Sequence, residues 1–357
     1  MAFYSFNELR SRQGLFNFSL TGRGCGKSFG AKLIGIKDYL KSKSKTGVGQ
    51  QWIYVRRYDS ELDNRSQFFD DISNSEFFND YEFKVHGYQG FIRPKQIDEE
   101  TGEYVESSLN SNEWELMMYF IPLSVSLKFK STAYPLVTKI FFDEFIIDKG
   151  AMRYLRNEVE VFLDLFETVA RKRDNVDAFF LANSVSLVNP YFSYFKVYPH
   201  PRKRFTSAMN GLVQVELFTN DDFIAEKKNT RFGRLIDGTQ YGAYAIENQS
   251  LRDNTSFIIR RPQAQAKFQG SFIIEGIEIG VWAFDSLGLF YIDRKIDNDS
   301  KERYNITDAD HKPDLKQISL MKNNLMAIKL KAAQGKGLIY YNNLEIQDLF
   351  KSVLKYI

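Results

Sequence analysis

The 357 residues predict an α/β protein, a parallel sheet with helices on both sides followed by a smaller α+β domain. Three observations carry this. Short apolar runs at 15–20, 52–55, 116–121, 140–142 and 178–181 alternate with helix-like segments, the pattern of strands joined by helical crossovers. The first run leads straight into Thr21-Gly22-Arg23-Gly24-Cys25-Gly26-Lys27-Ser28 and a helix-like stretch from Phe29 to Lys43. Beyond Pro190 the texture changes, and closely spaced runs at 271–274, 277–283 and 287–292 read as an antiparallel meander.

Composition narrows the classes. Hydrophobic residues at 43% with 26% charged residues fit a globular chain with a real core. A net charge of +3 is too small to demand a nucleic-acid partner by itself. The one cysteine, Cys25, excludes an internal disulfide and fits a reducing compartment. His86, His200 and His311 are too far apart in sequence to suggest a histidine-rich metal site. The start reads as no signal peptide, and no apolar run approaches the roughly 20 residues of a membrane span.

Taken in order, the first element is the strand at 15–20. The loop after it has the strand, glycine-rich turn, Gly-Lys-Ser, helix context of a phosphate-binding P-loop. Its N–H groups and the positive end of the following helix cradle phosphates. Residues Thr21, Gly22, Arg23, Gly24, Cys25, Gly26, Lys27 and Ser28 form the expected nucleotide-binding set. Lys27 is placed to reach the outer phosphates of ATP and Ser28 to ligate Mg²⁺. Thr21 stands where the usual first glycine would be, which questions the loop geometry but leaves Gly26-Lys27-Ser28 intact. A helix with Val159, Phe162, Leu163, Phe166 and Val169 on one face covers the sheet.

A phosphate loop needs an acid at the tip of another strand. Thr138-Lys139-Ile140-Phe141-Phe142-Asp143-Glu144 supplies one. Asp143 takes the Walker B role, holding Mg²⁺ through water or through Ser28, and Glu144 polarises the attacking water. Alone, an Asp-Glu pair equally suits a solvated strand end. Paired with Gly-Lys-Ser after a strand, it points to an ATPase with a dedicated catalytic carboxylate. Asn183, at the tip of the 178–181 strand, either senses the γ-phosphate or simply caps the strand end.

These residues together resemble the genome-packaging ATPases (encapsidation proteins) of small tailed phages of the phi29 type. The resemblance rests on Trp52-Ile53-Tyr54-Val55-Arg56-Arg57-Tyr58, Ile121-Pro122-Leu123-Ser124, Lys130-Ser131-Thr132-Ala133-Tyr134-Pro135, Phe142-Asp143-Glu144-Phe145-Ile146, Asn157-Glu158-Val159, and the run from Asn183 to Phe192. It covers about residues 10–200. It implies a motor of the additional-strand catalytic-glutamate (ASCE) class, related to large terminases. The working assembly would be a homo-oligomeric ring, a pentamer, docked on the capsid portal or connector through an RNA or a protein adapter, in the host cytoplasm and away from any membrane. A neighbouring subunit would then supply an arginine, and the family position falls on Arg171; the other reading of Arg171-Lys172-Arg173 is a solvated helix end. Lys130 is a second residue for action across subunits, or a surface lysine. Arg23 contacts phosphate or a neighbour.

The same resemblance implies an RNase H-like C-terminal domain. The acids Glu275, Glu278, Asp285 and Asp293 form no evident cluster for two metals, so the domain reads as a nuclease that has lost cleavage. Residues 321–357 carry six lysines against Glu345 and Asp348. Lys336 there, and Arg202, Lys203 and Arg204 after the proline-rich break, are the expected contacts to double-stranded DNA, through phosphate and without sequence preference; for 202–204 the capsid-docked partner is the other candidate, and solvated faces are the plainer alternative. The expected domains are 1–200, a linker module at 201–238, and 239–357. The expected function is ATP-driven translocation of double-stranded viral DNA into a preformed capsid. The alternatives are another P-loop translocase or helicase, which would separate a forked duplex, and a structural vertex protein with an inactive nucleotide fold, which would show no DNA- or capsid-stimulated turnover.

Overall fold

The structure, a computed structural model, describes residues 4–95, 113–147, 153–183, 186–187, 189–200, 203–239, 241–242, 246, 257–274, 276–306, 310, 312–317 and 324–357. The chain divides into two compact units, Met1–Leu251 and Arg252–Ile357.

The first unit is built on a nine-stranded sheet. Its strands are β1 (Phe16–Thr21), β2 (Gln51–Arg56), β3 (Tyr81–His86), β4 (Gln89–Pro94), β5 (Glu115–Pro122), β6 (Val137–Asp143), β7 (Asp177–Asn183), β8 (Phe205–Ala208) and β9 (Val213–Phe218). They lie in the order β3-β4-β5-β2-β6-β7-β1-β9-β8. The stretch from β5 to β9 is parallel throughout. The β3–β4 hairpin and β8 close the two edges antiparallel. Strand β7 stands between the loop strand β1 and the acid-bearing strand β6, the insertion that defines the additional-strand class. Strands β1 and β6 are buried along their whole length, as parallel strands covered on both faces must be.

Successive side chains of a strand point to opposite faces, and β6 shows both. Phe141 faces the cluster that holds Trp52, Phe179, Phe6 and, from helix α2 (Lys27–Thr46), Ala31 and Ile36. Phe142 stacks on Phe162 of helix α4 (Glu158–Ala170), with ring centroids 5.7 Å apart. Here α1 is Asn7–Ser11 and α3 is Asp70–Ser73. Close approach of α2 to the sheet depends on Gly35, where a Cβ would sit 2.5 Å from the Trp52 ring.

The separate module expected from residue 201 is not what the structure shows for 205–218. Strand β9 pairs with β1 from Phe16↔Val213 to Thr21↔Phe218. By β9 the chain has therefore returned to the open side of β1, whose backbone groups need a partner. Helices α6 (Asp221–Asn229) and α7 (Arg231–Ile236) follow α5 (Pro190–Tyr194) and β9. Phe223 of α6 packs against the first unit's core.

The second unit has a six-stranded sheet in the order β14-β13-β10-β11-β12-β15. Its strands are β10 (Lys267–Ile274), β11 (Ile277–Phe284), β12 (Leu289–Asp293), β13 (Arg303–Asn305), β14 (Lys316–Gln317) and β15 (Ile339–Tyr341). The expected meander is β10-β11-β12, antiparallel. Strand β13 then runs parallel beside β10, and β14 parallel beside β13. That order and those directions are the RNase H-like arrangement, with β15 added parallel to β12. Helices α8 (Leu325–Gly335) and α9 (Leu344–Tyr356) supply Leu330, Ile346, Phe350 and Val353 to a core with Phe272, Ile279 and Ile292. Among the described residues no helix is long and apolar enough to cross a membrane.

Candidate active site

The loop between β1 and α2 is shaped by its glycines. Gly24 and Gly26 have φ of +87° and +86°, a region that L side chains rarely adopt. Gly26 begins α2 with no side-chain cap, so the orphan N–H groups of the first turn are left for a ligand. Lys27 is buried, and its Nζ donates to Thr21 Oγ1 at 2.9 Å, Gly22 O at 3.2 Å and Asn183 Oδ1 at 3.1 Å. Burial pushes its pKa down to about 8 against the opposing pull of Asp143. Thr21 is no defect. Its buried hydroxyl donates to Gly22 O at 2.9 Å while accepting from Lys27. Cys25 is a buried free thiol whose carbonyl accepts from Tyr4 N at 2.9 Å.

Parallel register brings the other groups to the same edge. Thr21 pairs with Asn183 and Asp143 with Leu181, all at the carboxyl ends of neighbouring strands. Ser28 Oγ donates to Asp143 Oδ2 at 2.5 Å, bridging the loop helix to the Walker B strand. Among the described residues no three His, Cys, Asp or Glu groups gather into a metal cluster. A serine and one carboxylate instead suit Mg²⁺, which keeps waters and takes ligands from a nucleotide's phosphates.

Glu144 follows with φ +58°. Its N–H is held by Asp143 Oδ1 at 3.0 Å and its carbonyl by the Arg57 guanidinium at 3.1 Å. Its carboxylate is more than half exposed and pairs with Arg56 at 2.8 Å. Three further residues enter here that the sequence left without a role: Tyr54, Arg56 and Arg57. Their signal was the run Tyr54-Val55-Arg56-Arg57, which ends β2, the strand beside β6, and continues one residue past it. Burial and the adjacent Asp143 push the Tyr54 phenol well above its ordinary pKa, so it stays a donor. Lys227 of α6 also reaches the loop, its Nζ donating to the carbonyl of exposed Arg23 at 2.7 Å; nothing in the sequence signalled this.

Other expected residues lie elsewhere. Arg171 is the exposed residue that ends α4, with φ +50° and ψ −113°. Its neighbour Arg173 bonds Pro135 and Val137 at the start of β6. From Val137 to Asp143 the strand runs about 20 Å, so Arg171 sits at the opposite edge of the sheet from its own Asp143. Lys130 is exposed and paired with Asp164 of α4 at 3.0 Å. Neither is brought to this chain's own phosphate loop.

The DNA set is divided. Arg204 is exposed yet engaged within the fold. It bonds Glu216 at 2.8 and 2.9 Å, and Glu216 is fully buried, with the Tyr4 hydroxyl as another donor. A buried carboxylate needs its cation, which sequence charge counting could not foresee. Lys203 and Lys336 are exposed; Arg202 lies outside the described residues. In the second unit Glu278 pairs with Arg303, Asp293 with Arg261 and Asp285 with Lys267, and Glu275 lies outside the described residues.

A family model described as Podovirus DNA encapsidation protein (Gp16) matches residues 1–356. The chain belongs to this family. Its encapsidation relatives include the DNA packaging protein of Bacillus phage phi29, 36% identical over 347 residues, 97% of this chain and 95% of the relative. Among solved structures, the bacteriophage Phi-29 viral genome packaging motor assembly matches with a TM-score of 0.70 at 34% identity, covering 100% of this chain and 99% of that one. The N-terminal domain of the DNA packaging ATPase from bacteriophage phi29 matches with a TM-score of 0.51 at 36% identity, covering 62% of this chain and 98% of that domain. The encapsidation match therefore spans both units, the phosphate loop and the acid pair.

Proposed function

We propose that this chain is the ATP-hydrolysing subunit of a ring motor that drives double-stranded viral DNA into a preformed capsid. The observation that carries this is the convergence of Lys27, Ser28 and Asp143, with Glu144 beside them, at one sheet edge. Lys27 would neutralise the outer phosphates of ATP, gaining full charge as they arrive. Ser28 and Asp143 would hold Mg²⁺, which supplies charge neutralisation at the β- and γ-phosphates. Glu144 would accept a proton from the attacking water once Arg56 releases its carboxylate. Asn183, already bonded to Lys27, would register the γ-phosphate.

Arg171 lies at the far end of β6 from its own Asp143, which favours delivery to the next subunit's ATP, with exposed Lys130 as a second contributor. The assembly we propose is a pentameric ring docked at the portal vertex in the host cytoplasm, through an RNA or protein adapter. Lys203 and Lys336 would contact DNA phosphates. The paired acids of the second unit favour a domain without nuclease chemistry, since each would have to leave an arginine or lysine to hold metal.

Glu144→Gln should bind ATP yet turn it over about 10²- to 10⁴-fold more slowly. Subunits carrying Glu144→Gln, mixed with Arg171→Ala subunits, should recover some turnover. Retained turnover in Glu144→Gln removes Glu144 from its role. Turnover that responds to neither duplex DNA nor empty capsids defeats the motor.

A further inference from the structure

Three donors fix the Asp143 carboxylate. Glu144 N–H binds Oδ1, while Ser28 Oγ and the Tyr54 hydroxyl both bind Oδ2, at 2.5 and 2.6 Å. Two of them belong to parts with other duties. Ser28 is assigned to the metal, and the Glu144 amide belongs to the turn that carries the catalytic carboxylate. Tyr54 is different. It is buried on β2, the strand beside β6. Its ring is packed edge-on against Phe68 at 4.7 Å and Phe120 at 6.2 Å. Phe68 is itself tied to α2, since Lys32 donates to its carbonyl at 2.6 Å and lies 4.3 Å over its ring. The hydroxyl thus sits on a rigid frame aimed at one carboxylate oxygen.

We infer that Tyr54 is a positioning residue for the Mg²⁺ of Mg·ATP, fixing the orientation of Asp143 through Oδ2. This rests on the assignment of Ser28 and Asp143 to the cation. Hydrogen-bond partners behind a metal ligand are worth about 10- to 100-fold in metal affinity. Tyr54→Phe keeps the ring and its packing and removes only the donor.

The test measures binding of N-methylanthraniloyl-ADP to the full chain across a Mg²⁺ titration, with ATP turnover in parallel. In Tyr54→Phe the Mg²⁺ midpoint should rise about tenfold or more. Nucleotide affinity without Mg²⁺ should stay at the wild-type value, and excess Mg²⁺ should restore turnover. A Mg²⁺ curve that superimposes on wild type overturns the inference, as does an equal loss with and without Mg²⁺, which marks a packing role. A Tyr54→Phe chain that fails to fold also overturns it, making the hydroxyl a structural bond. Asp143→Asn separates the two levels. If it too leaves the Mg²⁺ dependence unchanged, the cation assignment itself falls; if it shifts the dependence and Tyr54→Phe does not, only the role of Tyr54 falls.

Discussion

Arg57 and Glu158 form a two-point ion pair inside the protein, Nε to Oε2 at 2.7 Å and Nη2 to Oε1 at 3.0 Å, with both side chains nearly inaccessible to solvent. The same guanidinium donates to the carbonyls of Glu144 and Phe145. Glu158 also accepts from the Tyr191 hydroxyl and from Leu155 N–H. One buried pair therefore ties the turn after Asp143 to the first turn of α4 and to α5. Removing one partner strands a charge, so Glu158→Leu should cost about 3–5 kcal/mol in urea unfolding. Arg57→Met with Glu158→Leu should be more stable than Glu158→Leu alone. Its turnover should stay low, because the Glu144 carbonyl has lost the donor that holds its positive φ. Restored turnover in the double variant would confine the pair to stability.

Thr21 yields a prediction against the motif. Thr21→Gly would restore the usual first glycine of the loop but remove the hydroxyl that accepts from Lys27 and donates to Gly22. It also adds backbone freedom at the end of a buried strand. We expect a loss of about 1–3 kcal/mol in thermal or urea unfolding and no gain in ATP affinity. A more stable protein would show that the threonine is merely tolerated.

Sequence alone exposed what depends on local pattern. The loop, Asp143-Glu144 and the meander of β10 to β12 are legible because chemistry and turn residues are contiguous. The pairing of β9 with β1 is not legible, since parallel pairing across 197 positions (213 minus 16) leaves no local mark. The β3–β4 hairpin escaped because its strands are mixed in polarity, with Arg93 buried in β4 beside Ile92 and β3 only half-buried. Arg56 and Arg57 looked alike in sequence. Only the pleat separates them, sending Arg57 inward to Glu158 and leaving Arg56 at the rim with Glu61 and Glu144.

Arg173 should matter to Arg171 without touching ATP. Its guanidinium binds the carbonyls of Tyr134, Pro135, Val137 and Val169, clamping the turn that presents Arg171 at positive φ. Lysine cannot reproduce that planar fork. Arg173→Lys should lower the melting temperature by several degrees and reduce ring turnover at least about tenfold, toward the loss of about 10³ or more that removal of a trans arginine brings. Rings mixing Arg173→Lys with Glu144→Gln subunits should recover turnover, as is expected of the Arg171→Ala mixtures. If Arg173→Lys keeps wild-type turnover, the turn is held by other contacts.

Arg204 and Lys336 should separate in a salt titration of duplex binding. Lys336 is exposed, so Lys336→Ala should reduce the slope of log affinity against log salt by about 1 and leave stability within about 0.5 kcal/mol. Arg204→Ala should leave the slope unchanged, because its guanidinium is spent on Glu216, which has no exposure. With its cation gone, Glu216 keeps the Tyr4 hydroxyl as a donor, and we expect a loss of about 1–3 kcal/mol in unfolding. The reverse pattern, a lowered slope with unchanged stability for Arg204→Ala, would return Arg204 to the DNA surface and make its bond to Glu216 incidental.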